Sequence, residues 1–251
     1  TDMKQIMEEK AQNYKNGKIN YVTEKVVKDS TITLTINNEI SRSLSAIEDS
    51  LEEFAVGYLF NENMVKSIDD IEKIEINENH INVEIDDKLL KTKETVLCSD
   101  SSGGWRSKIK EIEPISSDFQ VEADELINRI EELKNNAQIW QATGGTHVAG
   151  IVYKNNFIVK EDVSRHVAVD KVIGYGILHN YDLSNSYIIY SGRMPADMVI
   201  KIVRAGIPVL ASNAAPAYSG CETAKKGNVT LVGFLRGQRF NVYNNKNRII
   251  F

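Results

Sequence analysis

The sequence predicts an α/β chain (α+β overall) in two parts, a small α+β domain followed by a larger α/β/α sandwich. Three observations predict this. Over residues 120–251, short apolar runs alternate with helix-like stretches, the order that gives a sheet covered by helices. Over residues 19–95, two stretches alternate apolar and polar residues and flank one amphipathic helical stretch. Between them, residues 98–104 read Cys-Ser-Asp-Ser-Ser-Gly-Gly, small residues without periodicity. The expected organisation is an N-terminal tail over 1–18, a small α+β domain over 19–97, a mobile cysteine loop and linker over 98–121, and the larger domain over 122–251.

Residues 1–18 are polar and predict a frayed segment or a loose helix. Residues 31–36 alternate Thr with Ile and Leu, a half-buried strand. Asn37-Asn38 suits a turn, because Asn tolerates positive φ, and residues 39–44 return. Asp49 or Ser50 then caps a helix with Glu52 and Glu53 in its first turn. Leu51, Phe54, Ala55, Tyr58 and Leu59 share one face of it. Residues 71–76 and 81–85 predict a second hairpin around Glu78-Asn79. In the larger part, residues 123–133 predict an amphipathic helix and 141–147 a tight connection through Thr143-Gly144-Gly145. Residues 148–153 and 157–163 predict paired strands, 165–178 a helix, and 187–190 a strand. Residues 195–205 predict a helix that starts at Pro195 and stops at Gly206. A strand over 207–211, a short helix over 218–226, a strand over 229–234 and an edge over 240–243 complete the pattern.

Composition narrows the function. The chain has 251 residues, 42% hydrophobic and 26% charged, and a net charge of -5. That balance is ordinary for a globular protein and argues against general nucleic-acid binding. No apolar run approaches the roughly 20 residues needed to span a bilayer. The charged, polar start carries no secretory leader pattern. Two cysteines, Cys98 and Cys221, predict a reducing, cytoplasmic setting rather than a disulfide framework.

Charged residues concentrate at strand ends. Glu161-Asp162-Val163-Ser164-Arg165-His166 runs on to Asp170-Lys171, between a strand and a helix. Ser191-Gly192-Arg193 follows the apolar run 187–190, and Gly233-Phe234-Leu235-Arg236-Gly237-Gln238-Arg239 closes the last strand. An Arg beside a Gly just after a buried strand is where α/β proteins hold anions. Arg165 and His166 open a helix, so their side chains and free backbone N–H groups converge. Asp170 is placed to orient Arg165 or accept an N–H, with Lys171 beside it. A solvated i, i+4 charge network is the plainer reading of the same residues. Thr143-Gly144-Gly145 is either a phosphate-facing turn or a tight corner. Asn213-Ala214-Ala215-Pro216 lines the same side, and Arg236 and Arg239 are candidates for a phosphate or a partner copy. His147 reads as a core histidine.

These segments, together with residues 51–59, Thr143-Gly144-Gly145-Thr146-His147 and Arg204-Ala205-Gly206-Ile207-Pro208-Val209-Leu210, resemble in order the FdhD family of formate dehydrogenase accessory proteins. The resemblance runs from about residue 20 to the end. It implies a cytidine-deaminase-like C-terminal domain and a sulfur carrier. Sulfur from a cysteine desulfurase passes to a carrier Cys and on to the molybdenum or tungsten bis-pterin guanine dinucleotide cofactor of formate dehydrogenase. It further implies a site for that cofactor or a GDP-like nucleotide, in a homodimer. The residues carried over are Cys98 for sulfur, and Thr143, Gly144, Gly145, Arg165, His166, Asp170, Lys171, Ser191, Gly192, Arg193 and Arg236 for the ligand.

Two positions depart from the family pattern. Its loop has Cys-x-x-Cys, whereas here Cys98 is followed by Ser101 in the second position. Val167 stands where the family has Asn. Zinc deamination does not fit these residues. It needs His-x-Glu and Pro-Cys-x-x-Cys at two helix starts. Here they read His166-Val167-Ala168 and Pro195-Ala196-Asp197-Met198-Val199, and one His cannot hold a tetrahedral zinc.

Overall fold

Alternating and continuous apolar runs become two separate sheets in the computed structural model, which describes residues 4–90, 95–96, 106–107, 109 and 111–251. The predicted loop over 98–104, with Cys98, lies outside the described residues.

The chain opens with an antiparallel ribbon of β1 (Ile6–Lys15) and β2 (Lys18–Val27), paired over their full length. This corrects the expected tail, and the expected boundary at residue 18 falls inside the ribbon. The turn is Asn16-Gly17, both at positive φ (52° and 78°), a two-residue connection that matches strand twist. Most ribbon residues are exposed, Tyr21 by 82%.

The small sheet holds β3 (Ser30–Ile36), β4 (Ile40–Ala46), β5 (Ile71–Asn77) and β6 (His80–Ile85), in the order β4-β3-β6-β5. Its buried face, Ile32, Leu34, Ile36, Ile81 and Val83, packs on α1 (Leu51–Asn61) through Phe54, Tyr58 and Leu59. Ser50 precedes α1, but its hydroxyl accepts from Lys160 Nζ at 2.8 Å rather than capping the helix. The two-residue strands β7 (Thr95–Val96) and β8 (Arg106–Ser107) pair antiparallel.

The larger part begins at β9 (Val121–Glu122), α2 (Ala123–Asn136) and α3 (Gln138–Thr143). Then come β10 (His147–Tyr153), β11 (Asn156–Asp162), α4 (Arg165–Leu178), β12 (Ser186–Tyr190), α5 (Ala196–Ala205), β13 (Val209–Ser212), α6 (Tyr218–Gly227), β14 (Thr230–Arg236), β15 (Arg239–Tyr243) and β16 (Ile249–Ile250). Six strands form one mixed sheet in the order β11-β10-β12-β13-β14-β15, with β12, β13 and β14 parallel. Alternate residues face opposite layers. Ala149, Ile151, Ile188, Tyr190, Leu210 and Leu231 meet α4, α5 and α6. Val148, Val152, Tyr187, Ile189, Val209 and Val232 meet α2. The result is the expected helix–sheet–helix sandwich.

The two parts join where α1 crosses α4. A Cβ at Gly57 would fall 1.9 Å from the Asp170 carbonyl oxygen, and one at Gly174 would fall 1.8 Å from that of Glu53. Only glycine at both positions lets the two backbones approach this closely. The same crossing holds the N-terminal half of α4 in register with the sheet, and that half carries the charged motif.

Candidate functional site: a crevice at the carboxyl ends of the sheet

Parallel β12, β13 and β14 end on one side of the sandwich. Antiparallel β10 begins there, and β11 ends there. The topology therefore gathers Thr143-Gly145, Ser164-His166, Ser191-Arg193, Asn213-Pro216 and Phe234-Arg236 at one end of the sheet. That end is where open α/β sheets bind ligands.

Arg165 is the first residue of α4. Ser164 caps the helix, its hydroxyl accepting from Val167 N at 3.4 Å. The Arg165 side chain runs across Gly192, where an added Cβ would lie 3.1 Å from Arg165 Cδ. Its Nε and Nη2 are buried and have no hydrogen-bond partner among the described residues. Buried donors are paired as a rule, and an unpaired one calls for a missing acceptor. A guanidinium with two idle N–H groups matches a carboxylate or phosphate edge.

The surrounding charges converge on Tyr190. Its hydroxyl is fully buried and donates to the Arg193 carbonyl. Burial pushes this phenol well above its ordinary range. Arg165 pulls it back, Asp197 pushes it up and Arg193 pulls it back. All three charges therefore act on one buried point. Ser191 is tied to β10: its Oγ accepts from Val148 N and its carbonyl lies 2.9 Å from His147 Nδ1. Ser212 Oγ donates to the Gly192 carbonyl at 2.5 Å, fixing the turn from the next strand. The Arg193 side chain is exposed at the rim.

His166 is fully buried, and its Nε2 lies 3.1 Å from Asp197 Oδ2. This contact ties the start of α4 to the start of α5. Asp170 does not orient Arg165, which corrects that expectation. Its Oδ1 accepts from Lys201 Nζ at 3.0 Å and from Asn61 Nδ2 at 2.6 Å. Lys171 Nζ donates to Asp162 Oδ2 at 2.9 Å, Asp49 Oδ1 at 3.0 Å and the Ile47 carbonyl at 3.1 Å. The solvated i, i+4 reading fails too, because Asp170, Lys171, Asp162 and Lys201 are essentially inaccessible. Together they form a buried ionic seam between the two parts of the chain.

Thr143-Gly144-Gly145 is placed as a corner. Thr143 Oγ1 donates to the Ile139 carbonyl at 2.8 Å and accepts from Gly145 N at 3.1 Å. Gly144 ends α3 at φ 68°, and Gly145 abuts Val27 of the ribbon. Glu161 accepts from Ile139 N, Trp140 N and Thr146 Oγ1, so it caps α3 rather than facing the crevice. Cys221 is half-buried on α6 and packs against the core. The structure thus gathers Arg165, Ser191, Gly192 and Arg193, with Arg236 exposed at the end of β14, and assigns Asp170 and Lys171 to the seam.

Asp197, Tyr190 and Ser212 were missed as site residues. The signal for Asp197 was an acidic residue in the first turn of a helix that begins at Pro195. Nothing local marked the other two. Among the described residues no group of three or more His, Cys, Asp and Glu is placed to hold a metal ion, and no helix is long and apolar enough to cross a membrane.

Known proteins match this chain along most of its length. The model of the FdhD/NarQ family matches residues 27–250. A relative from Methanothermobacter thermautotrophicus, "Sulfur carrier protein FdhD", is 48% identical over 230 residues, 91% of this chain and 93% of its own length. "Protein FdhD" of Methanocaldococcus jannaschii is 34% identical over 91% of this chain and 92% of its own. Among solved structures, a crystal structure assigned as a formate dehydrogenase accessory protein from Desulfotalea psychrophila superposes with a TM-score of 0.82. It is 26% identical and covers 98% of this chain and 100% of its own.

Proposed function

The chain belongs to the FdhD/NarQ family, and from that premise we propose that it is a sulfur carrier serving the maturation of formate dehydrogenase. Cys98 is the carrier. Its thiolate attacks the outer sulfur of a persulfide on a cysteine desulfurase. The donor's S–S bond breaks, the donor leaves as a thiolate, and Cys98 holds the new persulfide. The Cys98 S–S bond then breaks, Cys98 leaves as a thiolate, and the outer sulfur passes to the pterin-bound molybdenum or tungsten of the client's cofactor. That cofactor is a substrate of this protein rather than its resident group, and its reduced metal supplies the two electrons that make the sulfur a sulfide ligand. The setting is the cytoplasm, the working unit a homodimer, and the larger domain a cytidine-deaminase-like scaffold without zinc.

The crevice holds the guanine dinucleotide end of that cofactor, or GDP. The observation that supports this is Arg165, whose buried Nε and Nη2 have no partner among the described residues. Arg165 binds a phosphate edge, Gly192 lets the side chain lie flat across the turn, and Arg193 adds positive charge at the rim. The buried His166–Asp197 contact orients the two helix starts that frame the group.

Peptide mass spectrometry after incubation with a cysteine desulfurase and cysteine tests the sulfur step. The expected result is a gain of one sulfur on the Cys98 peptide and none on the Cys221 peptide. Ser101, in place of a second cysteine, favours one other reading, a cofactor-binding protein without sulfur transfer. Absence of persulfide from both peptides would select it.

A further inference from the structure

The β1–β2 ribbon lacks what keeps such ribbons folded. It pairs with no other strand among the described residues, so both of its outer edges stay open. An isolated two-stranded hairpin is marginal in water, and further strands with an apolar face are what stabilise one. The base is anchored, since Val27 abuts Gly145, but residues 12–21 are all exposed. The register sets Tyr14 across from Ile19 and Gln12 across from Tyr21, on one face. Tyr14, Ile19 and Tyr21 are 74%, 64% and 82% exposed.

The opposite face carries a second cost. Glu9 stands directly across from Glu24, and Lys15 directly across from Lys18. Like charges so placed repel. The two pairs have opposite sign and lie six residues apart on each strand. One ribbon cannot bring them together. A second ribbon, reversed end for end, brings each Glu pair against a Lys pair. This complementarity of the ribbon to itself selects a second copy of the chain as its partner.

We propose that β2 pairs antiparallel with β2 of a second copy, around a two-fold axis through Tyr21. The proposal rests on the homodimer reading above and gives that dimer its interface. A two-residue turn makes Lys15–Lys18 a hydrogen-bonded pair, so Ile19, Tyr21 and Thr23 turn their backbone N–H and C=O groups outward. With Tyr21 on the axis, Tyr21 meets its own copy and Ile19 meets Thr23 of the second copy, so these outward groups answer one another. Lys18 then faces Glu24 of the second copy in the closer, non-hydrogen-bonded position, and symmetry repeats the pair. Across the four strands the charged row reads Lys15, Lys18, Glu24, Glu9. On the other face the two sets of Tyr14, Ile19 and Tyr21 join into one apolar stripe. Moving the axis by one residue sets Lys18 against Val22 or Val26 and loses both ion pairs.

Sedimentation velocity of the full chain over a range of concentrations tests this, with Lys18→Glu, Glu24→Lys and the two combined. Each single change gives its own ribbon an opposite-charge pair, with Lys15 or with Glu9, so it does not weaken the hairpin. It also sets like charges against each other at both symmetric positions of the interface, and association is expected to weaken by about tenfold or more. The double reversal restores both ion pairs and returns association to the level of the unaltered chain or above it. Dimers of unaltered strength in both single variants, or a double variant as weak as the singles, overturn this interface and leave the homodimer standing. An unaltered chain that sediments as a monomer at every concentration overturns both.

Discussion

Arg165 and Lys171 lie less than two turns apart on α4, and their surroundings treat them oppositely. Lys171 Nζ donates to two carboxylates and a carbonyl, all between 2.9 and 3.1 Å. Arg165 buries two nitrogens that meet no acceptor among the described residues. A buried charge whose donors are all answered from within the chain is part of the frame. One left unanswered, at the carboxyl end of a sheet, is kept for something that arrives. This difference separates the seam from the site better than residue type does, since both lie in the same charged motif.

The largest way to break the comparison is to unpair the seam. Lys171→Ala leaves Asp162 buried and uncompensated, and stability is expected to fall by about 3–5 kcal/mol in urea denaturation. Replacing Lys171 and Asp162 together with Met and Leu restores much of that loss, and an additive penalty would show that the pair is not coupled. Gly57→Ala attacks the same seam through the backbone. Its Cβ meets the Asp170 carbonyl, and the forced separation of α1 and α4 is expected to cost about 3 kcal/mol, read from the denaturation midpoint.

Smaller effects sharpen the other side. Ser164→Ala removes the cap just ahead of Arg165 and is expected to cost about 1 kcal/mol. Because it loosens the turn that aims Arg165, GDP affinity falls with it. Arg165→Met is the smallest in stability. It removes a half-buried guanidinium whose Nε and Nη2 have no partner among the described residues, so thermal unfolding should shift little or rise. A large loss of stability in that variant would place Arg165 in the frame after all.

Much of the frame could be read from residue order. The helix over 165–178 was legible from the helical spacing of Val169, Val172 and Ile173, and the structure adds the Ser164 cap at its start. The convergence of Arg165, Gly192 and Arg193 was legible because strand ends in an alternating α/β chain share one side. The β1–β2 ribbon was not. Both of its faces meet solvent, so a period of two leaves no apolar imprint, although Asn16-Gly17 carried the turn signal. The seam was hidden for another reason. Asp170 finds Asn61 and Lys171 finds Asp49 across more than 100 residues, and local spacing cannot name such partners. Arg165 was legible as an anion candidate, while its freedom from Asp170 became visible only when Lys201 was seen to take that carboxylate.

The most direct test compares urea denaturation of the unaltered chain and Arg165→Met, each with and without GDP at about 100 times the dissociation constant measured for the unaltered chain. Binding to the folded state alone adds about 2.7 kcal/mol at that excess. The account predicts a rise of that order for the unaltered chain and almost none for Arg165→Met, with similar stability when GDP is absent. Equal rises in both, or a variant already unstable without GDP, would contradict the claim that the unpaired guanidinium is the ligand's anchor.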